Sequence, residues 1–339
     1  MNEPSVAIAI LNWNGKHFLE TLLPDLLRLS YPNYSIYIID NNSSDDSVSF
    51  INANFPSVKT ILLDDNYGFA TGYNKGLWGL KEDYYLVMNS DVEVEPTFIE
   101  PLVAMMQDDN LIAVVQPKIR SLQNKKMFEH AGAAGGMIDV LGYPFCRGRI
   151  FDTVEEDVGQ YDDAIPVFWA SGTCCLIRKK AYWQVGGMYG YYFMHMEEID
   201  LCWRLQTAGW KIFYCPQSLI YHLGGGSLSY QSPRKTYLNF RNNIIMCWRN
   251  SPPYVNAWLL PLRMMLDGIA LIKFLTAKQS ENAVAVGKAY LHFFKWLFSF
   301  EKDSPQKKMS LRKAAGVLKE SLIWKYYIIK KKTYEEVIK

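Results

Sequence analysis

The stretch "DYYLVMNSDVEVEP", residues 83–96, decides the fold class. Its apolar run at residues 84–88 predicts a buried strand, because short apolar runs bounded by turn residues are typical of strands covered on both faces. The run stops at Asn89, Asp91 follows, and two more acidic residues come before the next proline. A core strand that ends in a carboxylate predicts a functional site beyond the carboxyl ends of a parallel sheet.

The first third of the chain repeats this pattern. Strand patterns at residues 6–11, 34–40 and 58–63 alternate with helical patterns, which predicts an α/β fold with a mostly parallel sheet flanked by helices. Because the carboxyl ends of parallel strands meet at one edge, we expect the polar residues that follow the four strands to lie together. These polar residues are Asn12 and Asn14, Asp40–Asn42, Asp64–Asn66, and Asn89 with Asp91.

A second acidic cluster opens a predicted amphipathic helix at residues 196–210. Glu197 and Asp200 share one face of this helix, whereas Glu198 points about 100° away from Glu197. Acidic side chains at a helix start are favoured by the helix dipole alone. A carboxylate held against apolar surface is also suited to act as a general base, so both interpretations stay open at this point.

The segments around this helix are less regular. Residues 118–170 include a Gly- and Ala-rich stretch that predicts a loop or an irregular strand. Residues 211–216 and 218–223 predict two edge strands, and "GGGS" at residues 224–227 predicts a flexible turn.

Charge is distributed unevenly along the 339 residues. The formal net charge is +2, but residues 231–339 hold 20 Lys and Arg against 7 Asp and Glu, whereas residues 1–230 hold 16 against 27. An acidic body with a basic arm predicts contact with an anionic surface. Apolar helical segments alternate with the basic residues and no base-reading motif occurs, so we expect an anionic membrane surface and no nucleic acid as the partner.

The last part of the chain, residues 246–339, predicts a basic, amphipathic helical region appended to a domain of residues 1–245. Residues 257–275 are apolar but carry three charges, and each charge at mid-helix costs about 2.5–3.5 kcal/mol inside a bilayer. We therefore expect a helix that lies in the membrane interface, with ordinary packing on the domain as the alternative. Six cysteines without a disulfide pattern, and no signal-peptide pattern, predict a cytoplasmic protein held peripherally on the inner face of the membrane.

Several polar residues are candidates for chemistry, although each has a structural alternative. Asp91 is suited to hold a divalent cation, Mg²⁺ or Mn²⁺, because hard cations prefer oxygen ligands, or else to cap a helix. Asp40 is suited to accept hydrogen bonds from a nucleobase or a ribose, or else to cap the next helix. Asn66 and Asn74 either bind a nucleotide or fix the turn between them, and His222 is either a metal ligand or a structural histidine.

Seven motifs occur in a fixed order along residues 5–245. They are "LNWNG", "DNNSSDDS", "NYGFATGYNKG", "MNSDVEVEP", "SGTCCLIRKKAY", "MEEIDLCWRLQTAGWKI" and "YHLGGGS". Together they resemble the inverting glycosyltransferases of family 2, which have the GT-A fold, and among them the rhamnosyltransferase-like branch of bacterial surface-polysaccharide synthesis. The resemblance implies a nucleotide-diphosphate-sugar donor, with dTDP-rhamnose as one candidate, and a lipid-linked oligosaccharide or other glycan as the acceptor.

The resemblance also implies roles for individual residues. Asp91 would bind the divalent cation at the family's metal motif, in which Asn89 replaces the first acid, and His222 would be a further ligand. The general base would be Glu198, with Glu197 beside it in the position of the family's acid pair. The donor pocket would be formed by Asn12, Asp40, Asn66, Asn74, Asn89 and Arg241, with Asp40 at the base and Arg241 at the diphosphate.

Three other classes of protein fit the sequence less well. A dinucleotide-dependent oxidoreductase would need G-x-G-x-x-G after the first strand, where this chain has "LNWNGKH". A sugar-nucleotide nucleotidyltransferase would need a glycine-rich loop with basic residues at the same place. A non-catalytic glycan-binding or scaffold protein on a degenerate GT-A fold stays open, because Asn89 leaves the metal motif one acid short.

Overall fold

The computed structural model describes residues 3–224, 232–299, 305 and 307–339. Its α-helices are α1 (Lys16–Leu26), α2 (Ser47–Asn54), α3 (Gly68–Leu77), α4 (Ile99–Asp108), α5 (Lys179–Gln184), α6 (Glu197–Thr207), α7 (Pro233–Asn250), α8 (Pro253–Thr276), α9 (Ser280–Leu297) and α10 (Tyr334–Ile338). Its strands are β1 (Val6–Asn12), β2 (Tyr34–Asp40), β3 (Lys59–Leu62), β4 (Tyr84–Met88), β5 (Val92–Val94), β6 (Ile112–Ser121), β7 (Gly136–Asp139), β8 (Pro144–Cys146), β9 (Arg149–Ile150), β10 (Thr153–Val154), β11 (Ile165–Pro166), β12 (Cys174–Arg178), β13 (Lys211–His222) and β14 (Val317–Leu318).

The central sheet is mixed but mostly parallel where it forms the site. Its strands lie in the order β11-β13-β6-β12-β4-β1-β2-β3, and β5 pairs with β13. Strand β1 is parallel to β2 and β4, β2 is parallel to β3, and β13 is parallel to β6, whereas β12 runs antiparallel between β4 and β6. The prediction of an α/β fold with a mostly parallel sheet is confirmed, and each of the four strands predicted in the first third lies within one residue of its predicted ends.

The side chains of β1 show why the sheet is covered on both faces. Val6, Ile8 and Ile10 pack with α1 and α4 in one hydrophobic cluster, whereas Ala7 and Ala9 pack with α3 and α6 in another. Successive side chains of a strand point to opposite faces, so a strand buried on both faces needs an apolar residue at every position. Strand β4 is likewise buried at every position. This burial fixes the positions of the polar residues that follow β1 and β4.

Strand β13 differs from the prediction. Residues 211–216 and 218–223 were expected to be two edge strands, but Lys211–His222 form one strand that pairs with β6 on one side and with β11 and β5 on the other. A register shift between Cys215 and Leu219 accommodates the interruption that the sequence suggested. Of the predicted turn at 224–227, residues 225–227 lie outside the described residues.

The middle and the end of the chain together form a second, smaller sheet in the order β10-β9-β8-β7-β14. Strand β14 comes from the C-terminal region and runs parallel to β7. Beyond it, the backbone N–H of Leu322 donates to Asp139 at 2.9 Å, and Leu322 and Val337 are buried in the same hydrophobic cluster as α3 and α6. The C-terminal region thus packs against the rest of the fold, and the predicted boundary at residue 246 falls inside α7.

Helix α8 turns two of its charged residues inward and many of its apolar residues outward, whereas its third charged residue, Lys273, is exposed. Arg263 and Asp267 are both buried, with Nη2 and Oδ2 3.4 Å apart, and Tyr290 donates a hydrogen bond to the Asp267 carboxylate at 2.6 Å. Within the described residues, no helix combines the length and the apolar character needed to cross a bilayer. The outward apolar side chains of α8 are Tyr254, Trp258, Met264, Met265, Ile269, Ile272 and Leu275.

Candidate active site

A cavity of about 440 Å³, here called the rim cavity, opens beyond the carboxyl ends of β1 and β4. Three of the predicted site residues line it: Asn66, Asn89 and Asp91. The polar ends of different strands therefore do meet at one cavity. Other lining side chains were not singled out in the sequence, although Trp13 lies within the quoted motif "LNWNG"; they are Trp13, Phe18, Phe69, Phe193, Met194 and Arg234.

Asp91 and His222 lie together at one end of the rim cavity. Their Oδ1 and Nε2 atoms are 3.2 Å apart, and the amide nitrogen of Asn89 lies 3.4 Å from the same Nε2 atom. The antiparallel pairing of β5 with β13, in which His222 faces Val92, brings the two distant segments to this point. Burial alone would raise the pKa of Asp91, but the bonded His222 outweighs it and the pKa is lowered.

Glu129 lies behind His222 and was missed in the sequence. Its carboxylate is buried, with Oε2 3.5 Å from Nδ1 of His222, and it also accepts the backbone N–H of Ala131. Although burial lowers the pKa of His222, the carboxylates of Asp91 and Glu129 outweigh that effect and raise it to about 9. No sequence signal marked Glu129, because it lies in the irregular segment between β6 and β7.

The residues around Asp91 fit a divalent cation that a ligand helps to hold. In the described part of the chain, no group of three or more His, Cys, Asp or Glu side chains is arranged to hold a metal ion alone. One carboxylate with a phosphate ligand is a common way for proteins to bind Mg²⁺ or Mn²⁺, and imidazole is an acceptable further ligand. Glu129 stands where an outer carboxylate would fix the ring of a metal-binding His222.

Asp40 and Asn12 are buried beside the rim cavity and do not line it. The amide of Asn12 donates to Asp40 at 3.0 Å and to the Ser43 hydroxyl at 3.1 Å, and the Ser43 backbone N–H donates to Asp40 at 3.0 Å. The Oδ1 atom of Asn12 is buried without a hydrogen-bond partner. These contacts fix the turn after β2, which borders the cavity through Asn41.

Asn66 and Asn74 have different roles in the structure. The Oδ1 atom of Asn66 accepts hydrogen bonds from the Asn41 amide and the Gly68 backbone N–H, both at 3.0 Å, at the wall of the rim cavity. Gly68 has a φ of +71°, and a Cβ atom there would lie 2.5 Å from the Phe193 ring. Asn74 is away from the cavity, where its amide bonds both backbone groups of Met188 at 2.7 and 2.9 Å.

Glu197 and Glu198 begin α6 three residues after Met194, which lines the rim cavity together with Phe193. Neither glutamate lines the cavity itself. Glu197 is buried and Glu198 is half-buried, and each has an Oε2 atom that is buried without a hydrogen-bond partner. Burial raises the pKa of Glu198 to about 7. Burial, followed by the charge of Glu198, raises the pKa of Glu197 well above its ordinary value. A pair of such carboxyls can hold and release a proton near neutral pH.

Asp200 is held differently from its two neighbours and anchors α6. Its carboxylate accepts hydrogen bonds at 2.7 Å from Arg204, Arg249 and Asn250, and at 3.0 Å from the Tyr192 hydroxyl. Although its burial would raise the pKa, the two arginines lower it to about 2. Asp200 therefore stays ionised and structural.

Arg241 does not line the rim cavity. Its guanidinium donates to the backbone carbonyls of Tyr191 at 3.3 Å and Tyr192 at 3.0 Å, and its Nε atom donates to Asn242 at 2.8 Å. Arg234, about two helical turns earlier on α7, lines the cavity instead and lies over the Phe193 ring. Among the described residues, Arg234 is therefore the arginine that lines the same cavity as Asp91.

Two curated relatives cover most of the chain. The N-acetylglucosaminyl-diphospho-decaprenol L-rhamnosyltransferase of Mycobacterium tuberculosis (strain H37Rv) is 28% identical over 296 residues, which are 83% of this chain and 95% of the relative. The low-salt glycan biosynthesis hexosyltransferase Agl10 of Haloferax volcanii is 22% identical over 71% of this chain and 74% of its own length.

Two solved structures share the fold. The mannosyltransferase PcManGT of Pyrobaculum calidifontis, in complex with GDP-Man and Mn²⁺, has a TM-score of 0.54 at 12% identity and covers 88% of this chain and 89% of its own. GalNAc-T7 with UDP, GalNAc and Mn²⁺ has a TM-score of 0.57 at 15% identity, and this chain spans about half of its length. Residues 5–186, more than half of the chain, match the family described as "Glycosyl transferase family 2". The chain therefore belongs to glycosyltransferase family 2, and it is a glycosyltransferase with a GT-A fold.

Proposed function

We propose that this enzyme transfers a sugar from a nucleotide-diphosphate-sugar to a hydroxyl group of a lipid-linked glycan, with inversion at the anomeric carbon. The observation that carries the proposal is the rim cavity itself. Asp91 lines it, and two further lining residues, Phe193 and Met194, come shortly before Glu197 and Glu198 in the chain. The proposed diphosphate site at Asp91 and the proposed general base therefore lie on or close to the wall of one cavity.

Asp91 and His222 are the residues that would hold a divalent cation, Mg²⁺ or Mn²⁺. When bound, such a cation neutralises charge on the diphosphate. The two GT-A structures described above contain Mn²⁺ with nucleotide or nucleotide-sugar, which supports this assignment. Arg234 lines the cavity beside Asp91, and its fixed positive charge would add to the stabilisation of the diphosphate.

Glu198 is the proposed general base. A carboxyl with a pKa of about 7 is half ionised at neutral pH and is well matched to accept the proton of an acceptor hydroxyl. Burial and the neighbouring charge of Glu198 raise the pKa of Glu197 as well, and we propose that Glu197 stays protonated while Glu198 accepts the proton. The acceptor oxygen would then attack the anomeric carbon on the face opposite the diphosphate, and one displacement inverts that centre.

The donor and the acceptor are proposed from the Mycobacterium tuberculosis relative, which this chain covers over 95% of its length. The name of this relative supports an L-rhamnosyl donor, for which we propose dTDP-rhamnose, and an N-acetylglucosaminyl diphospholipid as the acceptor. We further propose that the product enters a bacterial surface polysaccharide. Asp40, Asn12 and Asn66 would shape the nucleoside end of the donor site, with Asp40 held by the amide of Asn12 at 3.0 Å. Asn74 and Arg241 would act indirectly, by holding the backbone. Asn74 bonds Met188, and Arg241 bonds Tyr191 and Tyr192.

A peripheral position on the inner face of the cell membrane fits this acceptor. On α8, Tyr254, Trp258, Pro261, Met265, Ile269 and Ile272 follow one another at three- or four-residue steps and are all exposed, which forms one apolar stripe. An α-helix with an outward apolar stripe is suited to lie in the interface rather than cross the bilayer.

Helix α9 adds a second stripe in which apolar and basic residues alternate. Val284, Lys288, Leu291, Lys295 and Phe298 are all exposed at three- or four-residue steps, the last at the C-cap. Basic residues attract anionic headgroups, and exposed apolar side chains between them can enter the headgroup layer. This alternation supports an anionic membrane as the partner of the C-terminal helices.

A screen of nucleotide-sugars tests the proposal. Thermal-shift assays with UDP-, GDP- and dTDP-sugars in the presence of Mn²⁺ should give stabilisation by one nucleotide class, with dTDP-rhamnose expected, since a ligand bound to the native state raises the midpoint. The best donor is then incubated with an N-acetylglucosaminyl diphospholipid, and the product's anomeric configuration is determined by NMR. A protein that bound glycan but no nucleotide-sugar, and formed no product, would be the non-catalytic alternative.

A further inference from the structure

We propose that Asn242 on α7 is a positioning residue for the reaction, because it holds residues 192–196, here called the base loop, in the conformation that connects the wall of the rim cavity to Glu197 and Glu198. This inference rests on the proposed function. Neither the family match, which ends at residue 186, nor the sequence motifs assign this role to Asn242.

The base loop has a backbone that its sequence does not favour. Phe193, His195 and Met196 have φ angles of +66°, +69° and +74°, although none of them is glycine. Non-glycine residues in the left-handed region are strained and persist only where the surroundings impose the conformation. Three such residues within four positions therefore require strong external contacts.

Asn242 supplies most of these contacts. Its side chain is fully buried, and its amide group donates hydrogen bonds to the carbonyl oxygens of Tyr192, Met194 and His195 at 3.0, 2.8 and 2.8 Å. Two amide protons thus serve three carbonyls, which only a planar amide at the centre of the loop can do. The Nε atom of Arg241 donates to the amide oxygen at 2.8 Å and so fixes its orientation.

The remaining carbonyls of the loop are also held from outside. Phe193 accepts the backbone N–H groups of Phe69 and Ala70 at 2.6 and 3.3 Å, at the start of α3. Tyr191, just before the loop, accepts a hydrogen bond from Arg241. The loop is therefore fixed between α3, which borders the nucleotide side of the rim cavity, and α7, which carries Asn242.

This position gives Asn242 an influence on catalysis that an ordinary buried asparagine lacks. Phe193 and Met194 line the rim cavity, and Glu197 and Glu198 follow in the next turn. Without the three hydrogen bonds, the loop is free to leave its strained conformation, and the carboxyls at its end move with it. A displacement of about 1 Å at a reacting group can reduce the rate on the order of 100-fold.

Asn256 offers a matched control. It is also buried, at 5% exposure against 0% for Asn242, and its amide donates to two backbone carbonyls, those of Trp248 at 2.9 Å and Ser251 at 3.3 Å. It lies at the junction of α7 and α8 and makes none of its described hydrogen bonds to the base loop. Asn242→Ala and Asn256→Ala should therefore both lower the thermal midpoint, but only the first should disturb the loop.

The experiment compares steady-state kinetics and amide hydrogen exchange of the two variants with the wild-type full chain. We expect Asn242→Ala to lower kcat on the order of 100-fold while the KM for the donor changes by less than about threefold, because a loss confined to the transition state lowers kcat and kcat/KM together. We also expect faster exchange in peptides covering residues 192–199. Asn256→Ala should keep kcat within about threefold of the wild-type value.

Equal kcat values for the two variants, or unchanged exchange at residues 192–199 in Asn242→Ala, would overturn the inference. If Asn242→Ala does not fold, Asn242→Asp keeps the side-chain volume and the acceptor for Arg241 but removes both amide protons, and it should give the same losses. A wild-type enzyme without transfer activity would contradict the proposed function instead, and the exchange measurement would still test the role of Asn242 in the loop.

Discussion

The Oδ1 atom of Asp91 lies 3.2 Å from the Nε2 atom of His222, although the two residues belong to segments far apart in the chain. The contact exists because β4 ends at Met88 and β13 ends at His222, and the pairing of β5 with β13 aligns the two ends. A carboxylate that lines the rim cavity and an imidazole that contacts this carboxylate thus lie where a diphosphate and its cation are expected.

Replacement of Asp91 by Asn should abolish cation-dependent nucleotide binding. The change removes the charged oxygen ligand but keeps the shape of the side chain, so the fold should persist. Calorimetric titration of dTDP in the presence of Mn²⁺ should show a loss of affinity of at least about tenfold, comparable to the loss of a direct ligand. Affinity equal to that of the wild type would contradict the metal assignment.

The matched control for this substitution is Glu93→Gln. Glu93 lies two residues beyond Asp91 and its carboxylate pairs with Lys125. Its side chain is 41% exposed and it does not line the rim cavity. The control should bind dTDP and Mn²⁺ with wild-type affinity, since exposed ion pairs contribute less than about 1 kcal/mol.

Replacement of Glu198 by Gln should abolish transfer while nucleotide binding remains. The wild-type kcat should fall as the pH decreases below about 7, because burial raises the pKa of Glu198 to about 7 and only its carboxylate accepts a proton. The corresponding Glu197→Gln variant should keep this acidic limb, since Glu197 is expected to remain protonated. A wild-type kcat that changes by less than about tenfold between about pH 5 and 8 would exclude Glu198 as the base.

The Glu198→Gln variant should also be more stable than the wild type at higher pH. The folded-state pKa of Glu198 is raised from an ordinary value of 4.5 to about 7, so the folded protein binds this proton more tightly than the unfolded chain does. Stability from this group is therefore lost as the pH rises from about 4.5 through 7. The thermal midpoint of Glu198→Gln relative to the wild type should accordingly increase across that pH window, which differential scanning calorimetry measures.

Asp200→Asn should destabilise the fold much more than an exposed acid would. The substitution leaves Arg204 and Arg249 buried without their carboxylate, and the loss of one partner of a buried ion pair costs about 3–5 kcal/mol. The lowered pKa of Asp200, about 2, means that its contribution is present above pH 3.8 and is lost as the pH falls towards 2. Urea denaturation at pH 7 should reveal the full loss.

Asp46→Asn provides the comparison for this stability prediction. Asp46 pairs with Lys16 at 2.7 Å, but its side chain is 64% exposed. Exposed ion pairs contribute about 0–1 kcal/mol, so the free energy of unfolding should change by no more than that. Similar losses for the two variants would mean that the network around Asp200 does not anchor α6.

The sequence could predict the sheet because burial on both faces leaves a continuous apolar run, as in β1 and β4. It could not predict β13 as one strand, since the register shift between Cys215 and Leu219 is stabilised by the neighbouring β6 and not by local preference. The prediction that polar residues at strand ends lie together was correct for Asn66, Asn89 and Asp91, which line one cavity.

Residues whose position depends on tertiary contacts were harder to interpret. Glu129 lies in an irregular segment, so nothing in its surroundings indicated that it faces His222. Arg241 was expected at the diphosphate, but it lies about two turns further along α7 than Arg234, which lines the cavity instead. Asn74 lies in α3, and its amide is bonded to Met188 away from the cavity.

The exposed apolar stripe of α8 should bind anionic membranes. Ile269 and Ile272 are 58% and 60% exposed, and the full burial of one such side chain is worth about 1.5–3 kcal/mol. The double variant Ile269→Glu/Ile272→Glu should therefore reduce flotation with vesicles of phosphatidylglycerol and phosphatidylethanolamine by at least about tenfold. Leu62→Glu/Val158→Glu, which changes two equally exposed residues outside α8 and α9, should float as the wild type does. A wild-type protein that did not float, but formed a dimer that the α8 variant dissociated, would show that a second copy of the chain covers this stripe.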